Sequence, residues 1–544
     1  MTAKGHILRS ASVIALITLI SRICGYLRDQ RVVLLLGTSS AADSFILAFR
    51  IPSLLRRISG GGAIGASFIP VFSRYLRERD RREAWVFAQE MFWDVAMVLA
   101  AIAFLGVILS KQVIRVFTLF GTTHMQWDLA VSLNRIIFPC VLFLGLAGLA
   151  TAILNSFQVF GLPASTSIFF NLAVIALSLG AVYRPMMHWL PPSLRTPAVA
   201  LAAGVLVGTM LQLATQIPAL AKRGMHFRPA ISFTDPGVRK VGRLMGPAVF
   251  GMGVYQINFF VDTIFATSPR MPQGSVTSLY VADRVMELVL GSYAIALSTA
   301  LLPAMSRQAA AGDYAEMKRT LGFSLRIVSF ITIPAAVGLI LLRRPIIQVL
   351  FQHGNFAAES TSLTAHALLF YSLGLPAFAG IKQVTAMYYS MQDTLTPART
   401  GAYALGMNIA LNAAFLLFFV RYLSNGSPAL ASSLAAYLNF GALFLILRKR
   451  YGLLGTRGLL ISLSRIVVCA AGVAIVSLAA LRYLNFSAIH SVLAQAAALA
   501  LIIFGAAAVY FGLAALLRCE ELSEFLLLLR QAKPVPPGAT GIGA

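Results

Sequence analysis

Apolar stretches long enough to cross a lipid bilayer recur from one end of this chain to the other, and that recurrence restricts the fold more than any other feature. Val95 to Leu109, Pro197 to Leu220, Ala402 to Val420 and Val492 to Leu517 are examples. With its flanks, each reaches the roughly 20 residues needed to cross a hydrocarbon core of about 30 Å. Of 544 residues, 58% are hydrophobic and 12% charged, with a mean hydropathy of +0.80. Soluble domains average roughly 45–50% apolar and 25% charged residues. A water-soluble fold is excluded, and the expected class is an all-α polytopic membrane protein.

Apolar length read against Gly, Pro and charge punctuation predicts about fourteen spans. They fall near 10–36, 42–66, 85–110, 128–156, 163–183, 197–221, 242–267, 276–304, 320–342, 360–390, 398–420, 427–447, 460–481 and 490–517. The tenth carries Gly374 and Pro376 and is expected to bend.

The net charge of +25 does not indicate nucleic acid, because Lys and Arg sit in short connections rather than in one basic domain. The second connection, with the span end that leads into it, holds Arg56, Arg57, Arg74, Arg77, Arg79, Arg81 and Arg82, the sixth Lys222, Arg223, Arg228, Arg239 and Lys240, and the twelfth Arg448, Lys449, Arg450 and Arg457. Odd connections are poor in basic residues, as with Arg270 or Arg421. By the positive-inside rule, the even connections and both termini face the cytoplasm. Lys4 and Arg9 precede an apolar run, but Ser21, Arg22 and Arg28 follow without a small-residue cleavage site, so a removable signal peptide is not expected. Cys24, Cys140, Cys469 and Cys519 are scattered and outline neither a disulfide framework nor a metal cluster.

An internal repeat appears at an offset of 234 residues: Thr151, Ala152, Ser156, Gln158, Pro163 and Ala164 recur as Thr385, Ala386, Ser390, Gln392, Pro397 and Ala398. One residue out of that register, Pro70, Ser73 and Arg74 match Pro303, Ser306 and Arg307. Six spans per copy give both copies one orientation, as in parallel repeats about an axis along the membrane normal. The expected organisation is an N-terminal lobe (1–222), a C-terminal lobe (223–458), two further helices (459–518) and a cytoplasmic tail (519–544), with substrate bound between the lobes.

Ionisable residues inside spans are costly and face a cavity or a partner. The first span carries Arg22, Arg28, Asp29 and Arg31. Ser21 and Arg28 are seven apart and share a helix face, whereas Arg22 and Arg28 diverge by about 120° on a straight helix. Gly25 between them permits a bend; the alternative for Arg22 is snorkelling to the membrane surface. The second span carries Asp43, Arg50, Arg56 and Arg57 ahead of Gly60, Gly61 and Gly62. In the eighth, Asp283 and Arg284 precede Glu287, and an Arg284–Glu287 ion pair is geometrically available. Arginine binds phosphate oxygens through a fixed, permanently charged fork, so several of them imply a polyanionic head group. Asp262 is an isolated acid in the seventh span. Asn408 and Asn412, at i and i+4 in the eleventh, offer oxygen ligands for a cation or, equally, helix-packing hydrogen bonds. No nucleotide-binding loop, metal-binding His pair or nucleophile constellation is present, so no covalent chemistry is expected.

Residues Ser21 to Asp29, Ala42 to Phe45, Ala48 to Arg57, Ala282 to Arg284, Leu350 to Phe356 and Tyr389 to Pro397 together resemble the MurJ (MviN) lipid II flippases of bacteria, members of the multidrug/oligosaccharidyl-lipid/polysaccharide exporter superfamily. The resemblance spans the chain. It implies two six-helix lobes, residence in the bacterial inner membrane and alternating access that carries lipid II from the inner to the outer leaflet. It places Ser21, Arg22, Arg28, Arg56 and Arg284 around the pyrophosphate and sugar, and Asp43 as a further functional acid; Arg50 and Glu287 join them as candidates from their span positions. It also implies a groove for the lipid tail in the last two spans and, in some members, a sodium site at Asp262, Asn408, Asn412 and Ser432 or Ser433. No other cofactor is implied. Two departures stand out: Asn412 occupies a position that is Asp in members with that site, and Gly61 stands where the family usually carries Glu. Export of another lipid-linked oligosaccharide or a drug is the alternative substrate reading. A scaffold for cell-wall synthesis proteins is the alternative class.

Overall fold

The computed structural model describes residues 3–58, 64–121, 124–180, 196–484, 486, 489 and 491–524; within these, side chains are described outside 3–15, 54–58, 66, 246–256 and 292. Every regular element among the described residues is helical. The chain divides into two units, Met1–Val281 with Phe351–Leu363 and Asn412–Pro428, and Ala282–Leu350 with Thr364–Leu411 and Ala429–Ala544.

The first unit contains α1 (Ala3–Leu36), α2 (Ser40–Ile58), α3 (Ile64–Glu78), α4 (Arg81–Ile108), α5 (Ser110–Phe117), α6 (Trp127–Ile137), α7 (Cys140–Ser156), α8 (Gly161–Gly180), α9 (Pro197–Ala214), α10 (Ile217–Ala221), α11 (Pro236–Ala266) and the start of α12 (Ser275–Val289). The predicted fourth span is interrupted at Phe138 and Pro139, which separate α6 from α7, because proline cannot donate the helical hydrogen bond and crowds the preceding turn. The seventh starts six residues earlier than predicted. Asp235 is the reason: its Oδ1 accepts from the amides of Gly237 at 2.7 Å and Val238 at 3.0 Å, with Pro236 in the first turn, a strong start signal. The unit's core is aromatic, with Phe68 stacked on Phe72 and Phe87, and Trp85 on Phe157.

Glycine sets the approach of α9 to α8. A Cβ on Gly204 would fall 2.8 Å from the Val174 Cα, and one on Gly208 would fall 2.9 Å from the Phe170 carbonyl oxygen. In lipid, where apolar surface gives little association energy, such small-residue contacts let backbones meet and dispersion do the work.

The second unit continues α12 and holds α13 (Ile295–Ala310), α14 (Tyr314–Leu341), most of α15 (Arg343–Phe351) and α16 (Ala358–Ser390), and most of α17 (Leu395–Ala414). After α18 (Val420–Leu423) in the first unit come α19 (Ser427–Tyr451), α20 (Thr456–Tyr483) and α21 (Val492–Leu516). The predicted eighth span is continuous but widens to a π-helical turn at Leu290–Ala294, between α12 and α13. The last two predicted spans, α20 and α21, pack on α14 around Phe330, Ile466, Cys469 and Tyr510, and the Tyr510 hydroxyl donates to the Phe330 carbonyl at 2.6 Å.

The repeat extends to the backbone. Gln158 and Gln392 both have positive φ, 59° and 61°. Around them Val159 N–H donates to the Leu154 carbonyl at 3.0 Å, and Asp393 N–H to that of Tyr388 at 3.0 Å. Each is a Schellman-type helix end with glutamine in the left-handed position usually given to glycine. Downstream, the second copy is reinforced where the first has Val159. Burial opposes the charge of Asp393, but the hydroxyl and amide of Thr396 and the Arg450 guanidinium outweigh it and hold the carboxyl below its usual range.

Among the described residues, nine helical segments are apolar and long enough to cross a membrane. One of them, Leu395–Tyr451, takes in both the eleventh and twelfth predicted spans, with a short 3-10 turn at Ser424–Gly426 within it. The predicted first, second, seventh and eighth spans each include residues whose side chains lie outside those described, and they are not among the nine. Fourteen crossings require these four to cross as well.

The α8–α9 contact leads to a stability prediction. Gly208→Leu drives a side chain into the Phe170 backbone and is expected to cost about 1–3 kcal/mol. Gly208→Ala should lie between it and the unaltered protein. Apparent Tm of the detergent-purified proteins checks the order.

Candidate functional site

Arg28, on α1, is placed among helices and rings. Its Nη1 donates to Asn171 Oδ1 of α8 at 3.1 Å, and its Nε and Nη2 donate to Asp29 Oδ1 at 3.0 and 2.7 Å. The guanidinium lies over the rings of Phe170 and Phe49, 5.5 and 5.9 Å from their centroids. Its side chain is 13% exposed. An arginine keeps its charge in such surroundings and must therefore be met by acceptors and π-faces.

Asn171 serves two turns of α1. While its oxygen holds Arg28, its Nδ2 donates to the Ser21 carbonyl at 3.3 Å. Gly25 lies between those turns, and a Cβ there would meet Asn171 Nδ2 at 3.6 Å. Ser21 and Arg28 thus share the face turned to α8, through the Ser21 backbone. Arg22 is exposed, and α1 is one continuous helix.

Asp29 links Arg28 to other helices. Its Oδ1 also accepts from the Tyr280 hydroxyl on α12 at 3.0 Å. The Tyr280 ring lies under Arg50 of α2, 5.6 Å from guanidinium carbon to centroid. Arg50 in turn donates from Nη1 to Thr263 Oγ1 on α11. Five helices, α1, α2, α8, α11 and α12, are therefore joined by one polar chain built on Arg28 and Arg50.

Asp43 is engaged elsewhere. Both of its oxygens serve the start of α12: Oδ2 accepts from Gly274 N–H at 2.9 Å, and Oδ1 from Thr277 N–H and hydroxyl at 2.8 and 2.7 Å. A carboxylate at a helix N-terminus meets unpaired amides and the positive end of the dipole. In the second unit, Arg284 Nη1 donates to Glu287 Oε2 at 2.7 Å, the i, i+3 pair that the sequence makes available. The Arg56 side chain and Gly61 lie outside the described residues.

The candidate cation ligands form two pairs. Asn412 Nδ2 donates to Asp262 Oδ1 at 3.1 Å, and Asn408 Nδ2 to Ser432 Oγ at 3.2 Å, all four residues being buried. Asn412 thus turns its N–H, not its oxygen, to Asp262. Among the described residues no group of three or more His, Cys, Asp or Glu is placed to hold a metal ion.

Sequence reasoning missed Asn171, Tyr280, Thr263 and Thr277. Asn171 carried a signal: a lone amide in the run Phe169 to Leu177 needs a partner inside a membrane.

The sequence profile described as "Lipid II flippase MurJ" matches residues 32–498. That match settles the family. The chain belongs to the MurJ family, a family of transporters. A relative named "Probable lipid II flippase MurJ", from Vibrio cholerae, is 35% identical over 452 residues, which cover 82% of this chain and 83% of the relative. The fold resembles that of a solved lipid II flippase MurJ in an inward closed conformation, with a TM-score of 0.72 at 23% identity, covering 92% of this chain and 98% of that one. It also resembles an inward-facing multidrug-resistance MATE transporter of the MOP superfamily, with a TM-score of 0.65 at 14% identity, covering 82% and 99%. The MurJ family and the apolar helices make this a multi-pass inner-membrane protein, as the sequence resemblance implied.

Asn171→Leu keeps the bulk but leaves both Arg28 and the Ser21 carbonyl short of a partner. It is expected to cost about 1–3 kcal/mol. Asn171→Asp retains an acceptor for Arg28 and should cost less; apparent Tm in detergent checks the ranking.

Proposed function

We propose that this protein carries lipid II, undecaprenyl-pyrophosphate bearing a disaccharide-pentapeptide, from the inner to the outer leaflet by alternating access. The observation that supports this most is Arg28: a permanently charged guanidinium inside a membrane helix, held in a fixed orientation by Asn171 and Asp29. A scaffold needs no such group. A flippase for a polyanionic head group does, because the substrate's pyrophosphate must exchange water for charged donors as it leaves the surface.

In this reading Arg28, Arg50 and Arg284, with Ser21, Arg22, Arg56 and Glu287, receive the pyrophosphate and sugar. Asp29 and Glu287 keep the arginines oriented between substrate molecules. Asp43 ties the start of α2 to that of α12, on the side that charge alternation assigns to the outside, and its release accompanies outward opening. Both termini face the cytoplasm, fourteen helices cross, residues 1–222 and 223–458 act as lobes, and 459–518 guide the lipid tail.

Sodium does not fit the donor set as it is oriented. Asn412 presents its N–H to Asp262, so a cation beside that carboxylate gains the amide oxygen only if the group turns over, and a hard cation prefers several oxygen ligands. Membrane potential is the better source of work. It acts on a fully translocated charge with about 2.3 kcal/mol per 100 mV. A potential negative inside draws the empty cationic site toward the cytoplasm, and the lipid's pyrophosphate neutralises that charge on the outward stroke.

The test is lipid II translocation in vesicles. Arg28→Lys keeps the charge but loses the planar fork, and Arg284→Ala loses the charge; each is expected to insert normally and to lower the rate at least tenfold. Full rates in both would sink the transport reading. Accumulation of a different lipid-linked oligosaccharide on depletion, with lipid II unchanged, would replace the substrate.

With the same assay, exchanging Na⁺ for K⁺ should leave the rate unchanged and collapsing the potential should stop it. A sodium dependence abolished by Asp262→Ala would restore the cation site.

A further inference from the structure

The fourth predicted span holds a guanidinium that the polar chain around Arg28 and Arg50 does not take up. Asp128, Ser132 and Arg135 lie at i, i+4 and i+7 of α6 and therefore share one helix face. They are the exposed residues of that helix, whereas Ala130, Val131, Leu133, Asn134 and Ile137 are buried. Every exposed residue of α4 from Met97 to Ile108, by contrast, is apolar. The outer half of α4 turns a lipid face outward, and α6 turns a polar one.

Two hydrogen bonds fix how deep that face lies. Ser44 Oγ of α2 donates to the Gln126 carbonyl, just ahead of α6, at 3.0 Å. By charge alternation α2 and α6, which pack on each other, both run inward from this contact, so Arg135 stands within about one helical turn of the level of Arg50. Asn134 Nδ2 donates to Ser110 Oγ at 2.9 Å, both residues being buried, which sets Arg135 level with the junction of α4 and α5. The exposed residues at that junction, Leu105, Ile108 and Leu109, are still apolar. Among the described residues, no hydrogen bond or ion pair reaches the Arg135 guanidinium, and Asp128 is about 10 Å away along the helix axis, too far for one. A charged side chain at such a depth faces water or a partner. Snorkelling along lipid uses an apolar stem against apolar surface, but the positions between Arg135 and the outer end of this face are Ser132 and Asp128.

We propose that the face of α6 formed by Asp128, Ser132 and Arg135 lines a water-filled vestibule on the outer side, and that Arg135 there binds an oxyanion of the transported head group. The inference rests on the flippase reading above and adds a substrate-binding residue to it. The head group offers two such anions, its pyrophosphate and the carboxylates of its peptide, and a guanidinium fork suits either. Arg28 and Arg50 are held by Asn171, Asp29 and Thr263, whereas no described residue engages Arg135, so its donors are open to a ligand.

The first test reads water access and needs no substrate. Arg135→Cys and Ser132→Cys, each as a single change in the full chain, are treated from outside with a charged, membrane-impermeant thiol reagent, with the unaltered chain as baseline. Ile108→Cys, on the apolar face of α4, is the comparison. Both α6 variants are expected to react at least tenfold faster than Ile108→Cys. Reaction as slow as that of Ile108→Cys would overturn the vestibule, and Ser132→Cys alone decides it if Arg135→Cys does not insert.

The second test measures translocation in vesicles against lipid II concentration. Arg135→Gln is expected to raise the half-saturating concentration at least fivefold, and Arg135→Lys, which keeps the charge without the fork, by less. Lys111→Gln, which removes an exposed charge from the neighbouring α5, should leave it unchanged. The series is repeated with undecaprenyl-pyrophosphate disaccharide lacking the peptide. A shift that persists assigns Arg135 to the pyrophosphate, and one that vanishes assigns it to the peptide carboxylates. No shift for Arg135→Gln with either lipid, or an equal shift for Lys111→Gln, would overturn the binding role. If the unaltered chain moves neither lipid, the substrate reading falls, and thiol labelling alone decides the vestibule.

Discussion

A guanidinium inside a bilayer must find its counter-charge and acceptors in the protein, and the arrangement of the first unit follows from meeting that demand for Arg28. Asp29 supplies the charge, Asn171 the neutral acceptor, and Phe49 and Phe170 the π-faces. For Asn171 to reach both Arg28 and the Ser21 carbonyl, α8 must lie close along α1 at Gly25. The other side of α8 is fixed by Gly204 and Gly208 of α9. A polar requirement on one helix is therefore transmitted through a small-residue contact on another. This is reasonable in lipid, where apolar surface alone selects no neighbour.

Much of this fold was legible because it depends on properties of single segments. Apolar length gave the helices, and proline and capping chemistry explain where their ends departed from prediction, as at Pro139 and Asp235. The repeat at Gln158 and Gln392 was visible as residue identities and reappears as matching backbone hydrogen bonds and φ angles. The Arg284–Glu287 pair was legible for the same reason, since its geometry is internal to one helix.

The partners of Arg28 and Arg50 were not legible. Tyr280 is 251 residues from Asp29, and Asn171 is 143 from Arg28; nothing local marks either contact. Composition does carry a trace of them, since an ionisable or amide group inside an apolar span needs a partner, but it does not say which residue that partner is.

The repeat sharpens the difference between the two polar pairs. Asp262 follows Asp29 by 233 residues, the register that also relates Pro303 to Pro70. In the first copy the first helix meets the fifth through Arg28 and Asn171; in the second, the seventh meets the eleventh through Asp262 and Asn412. An asparagine faces a charged residue in both. The residue before Asp29 is Arg28, whereas the residue before Asp262 is Val261. Where the arginine is present, the acid pairs with it and the amide turns its oxygen to the guanidinium. Where it is absent, the amide turns its N–H to the acid. Asparagine can serve either charge because it carries both a donor and an acceptor on one planar group. The two asparagines lie 241 residues apart, about two helical turns off the repeat register, so the second copy meets its charge from a different level of the corresponding helix. The type of contact recurs, and the charge it meets is a guanidinium in one copy and a carboxylate in the other.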